Sequence, residues 1–417
     1  MFSKLDLDIN SLVYQLMERS FVMKYDFNSV IDRRVVPTEK WSKEKLKTYF
    51  GSDDLLPLWV ADMDFKVSDS LISDLVKRAE HGIFGYEYKP ASHHKAIINW
   101  FEKRHNWRFN QNDLFYAPSI LSALSILIDL LTEVNDQIII QTPVYYPFSK
   151  IIKSHKRVPI KNSLRLVDGK YEIDFEDLEE KAKDPKTKVI IIANPHNPVG
   201  RVWTRDELKK MGDICVKHGV LIISDEIHCD IVYKNYKYTP MASISEEIAN
   251  ITMTCLSPGK TFNISSLSTA AVVISNKDIS EKYKNFVDKY YINQNNAFSS
   301  VAFQSVYTKG EEWFEQFLAY LEGNLKFLKS YLKDNAPIID IIEPEGTYLV
   351  WLDIRKLDMD AKKLQKFIIH EAKLAFDFGH WFGREGAGFI RINIACPRET
   401  LKTALIRLKS AIEHGNY

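Results

Sequence analysis

Three consecutive stretches decide the fold of this chain: KVIIIAN (188–194), TRDELKKMGDICVKHG (204–219) and VLIISDE (220–226). The first and third are short runs rich in β-branched residues, which are typical of buried strands. The middle stretch opens with Thr204 and Glu207 at the spacing of a capping box and closes at Gly219, so we expect a helix between them. A strand, a helix and a second strand in this order predict a right-handed crossover and a parallel sheet.

The same pattern extends in both directions from this unit. Further strand-like runs stand at 137–143, 251–256 and 270–275. The last third of the chain is mostly helical, with helices expected at 311–335, 361–372 and 398–413 and strands at 347–353 and 388–394. We therefore predict an α/β protein with a mostly parallel sheet sandwiched by helices, and a smaller α/β domain at the C-terminal end.

The composition excludes several classes of partner and location. The chain has 417 residues, and its 56 Lys and Arg residues are balanced by 55 Asp and Glu residues. This balance gives no electrostatic reason to expect a nucleic acid or an anionic membrane as a partner. We find no signal peptide, no apolar window long enough to cross a membrane, no metal-ligand spacing and no CxxC pair among the four cysteines. We therefore expect a cytoplasmic protein without a metal.

Polar motifs follow several of the predicted strands, where an open parallel sheet binds its ligand. In NPHNPVG (194–200) the amide of Asn197 can donate to a ligand, although the motif alone is equally typical of a turn. In SDEIH (224–228) a carboxylate at Asp225 ends an apolar run, and taken singly it is more often a loop cap than a ligand-binding group.

Two basic residues stand in unusual surroundings. Lys260 lies in SPGKTF (257–262), on backbone that Pro and Gly constrain, and a semi-buried site of this kind suits a lysine that forms a Schiff base. Arg391 lies inside the apolar run of GFIRINIACPR (388–398), where a guanidinium usually pairs with an anion. That anion is either the α-carboxylate of an amino-acid substrate or a side-chain carboxylate of the protein.

In this combination and order, the motifs resemble the aminotransferase class I/II family, whose members are fold-type I enzymes that use pyridoxal 5′-phosphate (PLP). The likeness covers nearly all of the chain from about Met23 onward and is strongest in the C–S lyase branch, the cystathionine or cysteine-S-conjugate β-lyases. LPLWVADMDF (56–65) and GYEY (85–88) are typical of that branch, together with SDEIH and FIRINIACPR. The resemblance implies that the mostly parallel sheet is of the seven-stranded type.

The resemblance also implies a role for each matching residue. Lys260 would bind PLP covalently and move the α-proton, Asp225 would pair with the pyridine nitrogen, and Asn197 would donate to the ring hydroxyl oxygen. The other residues implied at the site are Tyr145 on the ring face, Ser119, Ile120, Leu121 and Ser257 at the phosphate, Tyr86 at the phosphate of the other subunit, His228 lining the cofactor pocket, and Val60, Ala61 and Arg391 at the substrate carboxylate.

The chain departs from the usual aminotransferase pattern at three positions. Ser268 stands where many members of the class have an arginine, eight residues after the lysine, and His228 stands where a tyrosine is usual. Both changes fit the lyase branch, although His228 can equally be a structural histidine. Ser119 stands where many relatives have glycine, which loosens the match at the phosphate.

Three functions remain open at the level of the sequence. A β-lyase would act on cystathionine or a related cysteine S-conjugate and release a thiol, pyruvate and ammonia. An aminotransferase would use the same Lys260, Asp225 and Arg391 and transfer the amino group to a 2-oxo acid. The third possibility is a regulatory protein that binds a partner protein through the same fold. The subfamily likeness favours the lyase.

We divide the chain into four parts. Residues 1–22 form an N-terminal extension, residues 23–65 an arm that packs on the small domain, residues 66–298 the large PLP-binding domain and residues 299–417 the small C-terminal domain. The resemblance implies a homodimer with shared active sites and a small-molecule amino-acid substrate.

Overall fold

The computed structural model describes residues 24–292 and 296–414, so the predicted extension at 1–22 lies outside the described residues. In chain order the strands are β1 Leu56–Pro57, β2 Leu114–Ala117, β3 Gln137–Ile140, β4 Val158–Lys161, β5 Arg165–Val167, β6 Lys170–Glu172, β7 Thr187–Ala193, β8 Leu221–Asp225, β9 Thr252–Leu256, β10 Ala270–Ile274, β11 Asp340–Ile342, β12 Leu349–Asp353, β13 Leu374–Ala375, β14 Asp377–Phe378 and β15 Phe389–Asn393.

The α-helices surround these strands. In chain order they are α1 Lys43–Phe50, α2 Asp69–Glu80, α3 Ala91–His105, α4 Ile120–Leu131, α5 Pro147–Ser154, α6 Phe175–Ala182, α7 Arg205–His218, α8 Glu246–Asn250, α9 Lys277–Lys289, α10 Ala297–Lys309, α11 Glu311–Asn335, α12 Ala361–Lys366 and α13 Arg398–His414. Among the described residues, no helix combines the length and the apolar character needed to cross a bilayer.

The central sheet has seven strands in the order β2-β10-β9-β8-β7-β3-β4. Strand β10 is antiparallel to both of its neighbours, and the other neighbouring pairs are parallel. This confirms the predicted α/β fold with a mostly parallel sheet. The carboxyl ends of β3, β7, β8 and β9 therefore meet at one edge of the sheet.

The central sheet is buried on both faces, which explains why its strands read as continuous apolar runs. Along β7, Val189 and Ile191 pack into a core that includes α4, α5 and α9. Ile190 and Ile192 point the other way, into a core that includes α6, α7 and α8. The alternation follows from the two-residue period of a strand.

The unit that decided the fold forms as the sequence predicts. Thr204 and Glu207 make both hydrogen bonds of a capping box at the start of α7, and Gly219 ends the helix with a φ of 68°. This left-handed conformation is one that glycine adopts without strain. The helix returns the chain to the start of β8, which then pairs with β7 so that Ala193 lies opposite Asp225.

The C-terminal part contains a second, antiparallel sheet in the order β11-β12-β15-β14. Helix α11 covers the predicted residues 311–335. The helix predicted at 361–372 is in two forms, because α12 ends at Lys366 and a π-helix continues over Phe367–Glu371. The first three residues of the π-helix, Phe367, Ile368 and Ile369, are all buried. A run of consecutive apolar residues does not show which helical period the backbone follows.

The arm packs along elements of the C-terminal part. Strand β1 pairs with β13, and the ring of Phe27 lies 5.7 Å from that of Trp313 in α11. The border that we predicted between 298 and 299 falls inside α10, which begins at Ala297. The division into domains stays a prediction.

Candidate active site

Polar residues gather in a cavity at the carboxyl edge of the central sheet. The cavity has a volume of about 170 Å³ and lies where β7, β8 and β9 end. Ten of its lining residues are predicted site residues: Ala61, Ser119, Ile120, Leu121, Tyr145, Asn197, Asp225, His228, Ser257 and Lys260. Val60, Tyr86 and Arg391 lie outside the lining.

Asp225 is the last residue of β8 and is buried at the sheet edge. Its side chain accepts a hydrogen bond from the backbone N–H of Ile227, at 3.2 Å from Oδ1. Burial raises the pKa of this carboxyl to about 7. A cation placed beside Asp225 would favour its charged form, because opposite charges lower the pKa of a carboxyl group.

Glu226, the next residue, has a different role. It accepts hydrogen bonds from the hydroxyls of Ser224 and Tyr238 and from the backbone N–H of Met241. Its polar atoms are therefore engaged within the protein. Of the two neighbouring acids, Asp225 is the one that faces the cavity.

Lys260 follows β9 and points its amine toward the arm. Its Nζ donates to the carbonyl oxygen of Ala61 at 2.6 Å. Burial lowers the pKa of the amine to about 8, and the carboxylates of Asp62 and Asp225 compensate only in part. A larger share of neutral amine is therefore present near pH 7 than at an exposed lysine.

Hydrogen bonds to the carboxylate of Asp230 fix the position of the segment that carries Lys260. The hydroxyl of Thr261 donates to Asp230 Oδ2 at 2.7 Å, and the indole N–H of Trp100 donates to the other oxygen of the same carboxylate. Asp230 lies only five residues after Asp225 in the sequence. It therefore connects the segment of Asp225 to the segment of Lys260.

The predicted phosphate end of the cavity is the start of α4. Ser119 is the N-cap residue, and its hydroxyl accepts from the backbone N–H of Ser122 at 3.1 Å. Ile120 and Leu121 lie in the first turn, whose N–H groups have no acceptor within the helix. The hydroxyl of Ser257 donates to the carbonyl of Thr269, so a contact with a phosphate requires it to rotate.

Two ring systems line the cavity in their neutral forms. Burial holds the pKa of His228 well below its ordinary value, and its Nδ1 has no hydrogen-bond partner among the described residues. Burial raises the pKa of Tyr145 to about 12. Neither ring is therefore charged near neutral pH. A buried, unpartnered ring nitrogen is expected where a polar ligand completes a site.

Arg391 is buried in β15 beside the cavity. Its Nη1 donates to Asn197 Oδ1 at 2.8 Å, and its Nη2 donates to the carbonyl of Trp59 at 3.0 Å and to the carboxylate of Asp377. The salt bridge to a side-chain carboxylate, one of the two alternatives that the sequence left open, is therefore present. Because the amide oxygen of Asn197 is engaged, its NH₂ group is what remains for a ligand.

The remaining predicted residues, Val60 and Tyr86, lie outside the cavity lining. Val60 borders a neighbouring cavity of about 460 Å³, which it shares with Ala61 and Lys260. Tyr86 is fully exposed on the surface of its own chain.

Sequence reasoning missed two groups of residues around the cavity. One is Asp377, a single acid in the apolar run LAFDF, which lies directly opposite Arg391 in the β14–β15 pair. The other we name the arm cluster, and it consists of Arg33, Lys40, Asp62 and Asp64. No local signal predicts their ion pairs, because the partners lie 22–31 residues away in the sequence.

Comparisons with known proteins agree with this architecture. Residues 54–408 match the family model described as aminotransferase class I and II. Cystathionine beta-lyase PatB of Bacillus subtilis is 36% identical over 387 residues, which covers 93% of this chain and 100% of that protein.

Two crystal structures that contain PLP have a similar fold. Cystalysin from Treponema denticola is 35% identical with a TM-score of 0.90, and the match covers 94% of this chain and 99% of that one. A C–S lyase from Staphylococcus hominis is 32% identical with a TM-score of 0.86, and the match covers 94% and 100% of the two chains. This chain therefore belongs to the aminotransferase class I and II family.

Proposed function

We propose that this protein is a PLP-dependent C–S β-lyase that acts on cystathionine or a related cysteine S-conjugate. With cystathionine the balanced reaction consumes one water, breaks the Cβ–S bond and releases homocysteine, pyruvate and ammonia. One observation carries the proposal: the amine of Lys260 and the carboxylate of Asp225 face the same cavity at the sheet edge. The end-to-end similarity to a cystathionine beta-lyase supports the choice of reaction.

The residues of the cavity fit PLP at each of its functional groups. A largely buried amine with a lowered pKa suits the aldehyde, and Asp225 suits a protonated pyridine nitrogen. The NH₂ group of Asn197 suits the ring hydroxyl oxygen, and the first turn of α4 suits the phosphate. The unpartnered Nδ1 of buried His228 also supports a polar occupant.

When bound, PLP supplies an electron sink that stabilises negative charge at the substrate Cα. Lys260 is the base that takes the proton from Cα, because burial favours its neutral amine. Asp225 would carry its negative charge beside a protonated ring nitrogen, because an opposite charge lowers the raised pKa of this carboxyl. His228 stays neutral and so contributes shape and polarity to the pocket instead of a charge.

Arg391 orients the substrate in this proposal. Its guanidinium lies between Asn197 and the carbonyl of Trp59, so a carboxylate bound there is close to the arm residues Val60 and Ala61. The carbonyl of Ala61 accepts from Lys260, which connects the predicted carboxylate site to the base. This arrangement would hold the Cα–H bond near the lysine amine.

An aminotransferase is the second candidate, and the description of the matching family model favours it. Lys260, Asp225 and Arg391 serve either reaction, because the difference lies in where the proton is returned. Ser268, at the position where many aminotransferases of the class have an arginine, supports the lyase instead.

We also propose that the working unit is a homodimer in which Tyr86 completes the phosphate site of its neighbour. Tyr86 is fully exposed, and Ile83, Phe84 and Tyr88 around it are 69%, 56% and 78% exposed. A cluster of exposed apolar residues on one segment is typical of an interface. The four cysteines are free and buried, which fits a reducing compartment, so we propose a cytoplasmic location.

The reaction is tested by incubating the purified holoenzyme with L-cystathionine and following pyruvate and thiol together. The proposal predicts equal amounts of both products without any added 2-oxo acid. An aminotransferase would release no thiol and would require a 2-oxo acid acceptor. Absence of thiol release with cystathionine and with other cysteine S-conjugates would contradict the lyase.

The shared site is tested by mixing two inactive variants, Tyr86→Phe and Lys260→Ala. A mixed dimer contains one site that has Lys260 from the first subunit and Tyr86 from the second, so the mixture should regain part of the wild-type activity. If light scattering showed that the fully active protein is a monomer, the proposed dimer would be wrong.

A further inference from the structure

We infer that Asp377 acts as an internal carboxylate that occupies Arg391 until the substrate carboxylate displaces it. Asp377 thereby becomes a specificity-determining residue for carboxylate binding. The inference deepens the proposed function, because it rests on Arg391 being the carboxylate site. The inference adds the prediction that substrate binding is coupled to the uptake of a proton. A carboxylate site formed by Arg391 alone would not predict this coupling.

The geometry places Asp377 in direct competition with any incoming carboxylate for the guanidinium of Arg391. Asp377 and Arg391 are opposite each other in the β14–β15 pair, and the exposed fractions of their side chains are 2% and 4%. Their ion pair is thus sealed from water, and the charge of the guanidinium is already balanced.

The hydrogen bonds of Arg391 show which donors a ligand can use. Both hydrogens of Nη2 are engaged, by Asp377 and by the carbonyl of Trp59. One hydrogen of Nη1 goes to Asn197, and the buried Nε has no partner among the described residues. A bidentate contact needs two donors on one edge of the guanidinium, so a substrate carboxylate gains its second donor at the expense of an existing acceptor.

The balance of charge determines which of the present acceptors of Arg391 the substrate carboxylate replaces. A second carboxylate beside a buried, already neutralised guanidinium leaves one negative charge uncompensated, and such a charge is costly in a desolvated site. Burial already raises the pKa of Asp377 to about 6. The arriving negative charge raises this pKa further, so Asp377 takes up a proton while the substrate pairs with Arg391.

The groups that interact electrostatically with Asp377 do not take up this proton themselves. Arg391 faces it from β15, and the phenols of Tyr145 and Tyr146 face it from the loop before α5. Burial raises the pKa of both phenols, so neither changes charge near neutrality. Lys260 and His228 interact electrostatically with Arg391 itself.

A purely orienting role for Asp377 predicts the opposite behaviour. If the carboxylate only held the guanidinium in place, its removal would weaken binding of a substrate carboxylate. Competition predicts that removal strengthens binding, because the guanidinium becomes available without the cost of protonating Asp377. The direction of the change in affinity therefore separates the two roles.

The test measures binding of 3-(methylthio)propionate to the holoenzyme by calorimetry at pH 7.5, in HEPES and in Tris. This probe has the carboxylate and the thioether of a substrate but no amino group, so it does not react. The difference between the two buffers gives the number of protons taken up. We expect about one proton per site, and an affinity that falls up to about tenfold for each pH unit above about 6.

The variant Asp377→Asn retains the shape of the side chain and removes its charge. We expect it to bind the probe up to about 30-fold more tightly at pH 7.5, the factor that separates this pH from a pKa of about 6. The proton uptake should disappear. Asp353→Asn is the matched control, because Asp353 pairs with exposed Arg355 in the same sheet, away from the cavity.

Three results would overturn the inference: no proton uptake by the wild-type protein, weaker binding by Asp377→Asn, or no binding by either protein. If the variant does not fold, the proton count of the wild-type protein still tests the inference, because a count near zero overturns it. Neither readout depends on turnover. Proton-coupled binding without cleavage of cystathionine would contradict the proposed function alone, and cleavage with uncoupled binding would contradict this inference alone.

Discussion

Lys40 and Lys260 lie near the same short segment, residues 61–64, and have opposite surroundings. Lys40, in the arm cluster, is completely buried, with its Nζ 2.6 Å from Asp64 Oδ2 and 3.7 Å from Asp62 Oδ1. Burial acts to lower its pKa, but these carboxylates outweigh the effect and the pKa is raised. Lys260 donates to a neutral carbonyl at 2.6 Å, and burial lowers its pKa to about 8.

The comparison separates a structural cation from a reactive amine. Burial acts to lower the pKa of both amines, so burial alone does not explain why the two pKa values shift in opposite directions. The difference is the number of carboxylates within hydrogen-bond distance of the amine. In the arm cluster each carboxylate is paired with a cation, whereas the cavity leaves Asp225 without a charged hydrogen-bond partner among the described residues.

The same substitution at the two lysines gives the largest expected contrast. Lys260→Met should reduce lyase activity about 10⁴-fold or more, because it removes both the covalent anchor of the cofactor and the base. Thermal stability should be retained, since a partly buried amine without a carboxylate partner is replaced by an apolar side chain. The checks are pyruvate formation and the melting temperature. Activity within tenfold of wild type would remove Lys260 from the reaction.

Arg391→Lys tests the predicted carboxylate site. The variant keeps the charge but loses the planar fork, which should cost about 2–4 kcal/mol in kcat/KM, or about 30- to 1000-fold. The visible absorbance of the bound cofactor should survive, because Arg391 is assigned to the substrate. Steady-state kinetics and the melting temperature are measured on the same preparation. Normal kinetics with a large loss of stability would instead assign Arg391 to the salt bridge alone.

The lowered pKa of Lys260 predicts a pH dependence for loading of the cofactor. Only the neutral amine attacks the aldehyde, and with a pKa of about 8 its share rises from about one tenth at pH 7 to about nine tenths at pH 9. The rate of PLP binding to the apoprotein should therefore rise about tenfold over this range and level off above it. Stopped-flow absorbance measures the rate. A rate that keeps rising toward pH 10.5 would show that burial does not lower this pKa.

Lys40→Met should have the smallest effect on catalysis and a large effect on stability. It leaves Asp64 buried with one cation fewer, which typically costs about 3–5 kcal/mol of unfolding free energy. The activity of the folded fraction should stay within about threefold of wild type. Denaturant unfolding and kinetics at low temperature check both parts. A loss of activity comparable to that of Lys260→Met would erase the distinction between the two lysines.

The sequence predicted the central sheet well, because its buried strands are continuous apolar runs. KVIIIAN and VLIISDE lie in the structure as β7 and β8 with α7 between them. Ten of the predicted site residues line one cavity, since motifs that follow parallel strands must meet at one edge.

Contacts between distant segments could not be predicted in the same way. Asp377 lies in a strand of two residues, too short to leave a pattern, and only its register opposite Arg391 reveals the pairing. The arm cluster likewise depends on how residues 33–40 of the arm lie against its residues 62–64. Both cases involve ion pairs whose partners the local sequence does not identify.

The most direct test of the central claim is to reduce the holoenzyme with borohydride and find the modified peptide by mass spectrometry. We predict that the phosphopyridoxyl group is fixed on Lys260, in the peptide that contains SPGKTF, and that Lys40 is unmodified. Modification of another lysine, or the same visible absorbance and reducible bond in Lys260→Ala, would contradict the assignment of Lys260 as the residue that carries the cofactor.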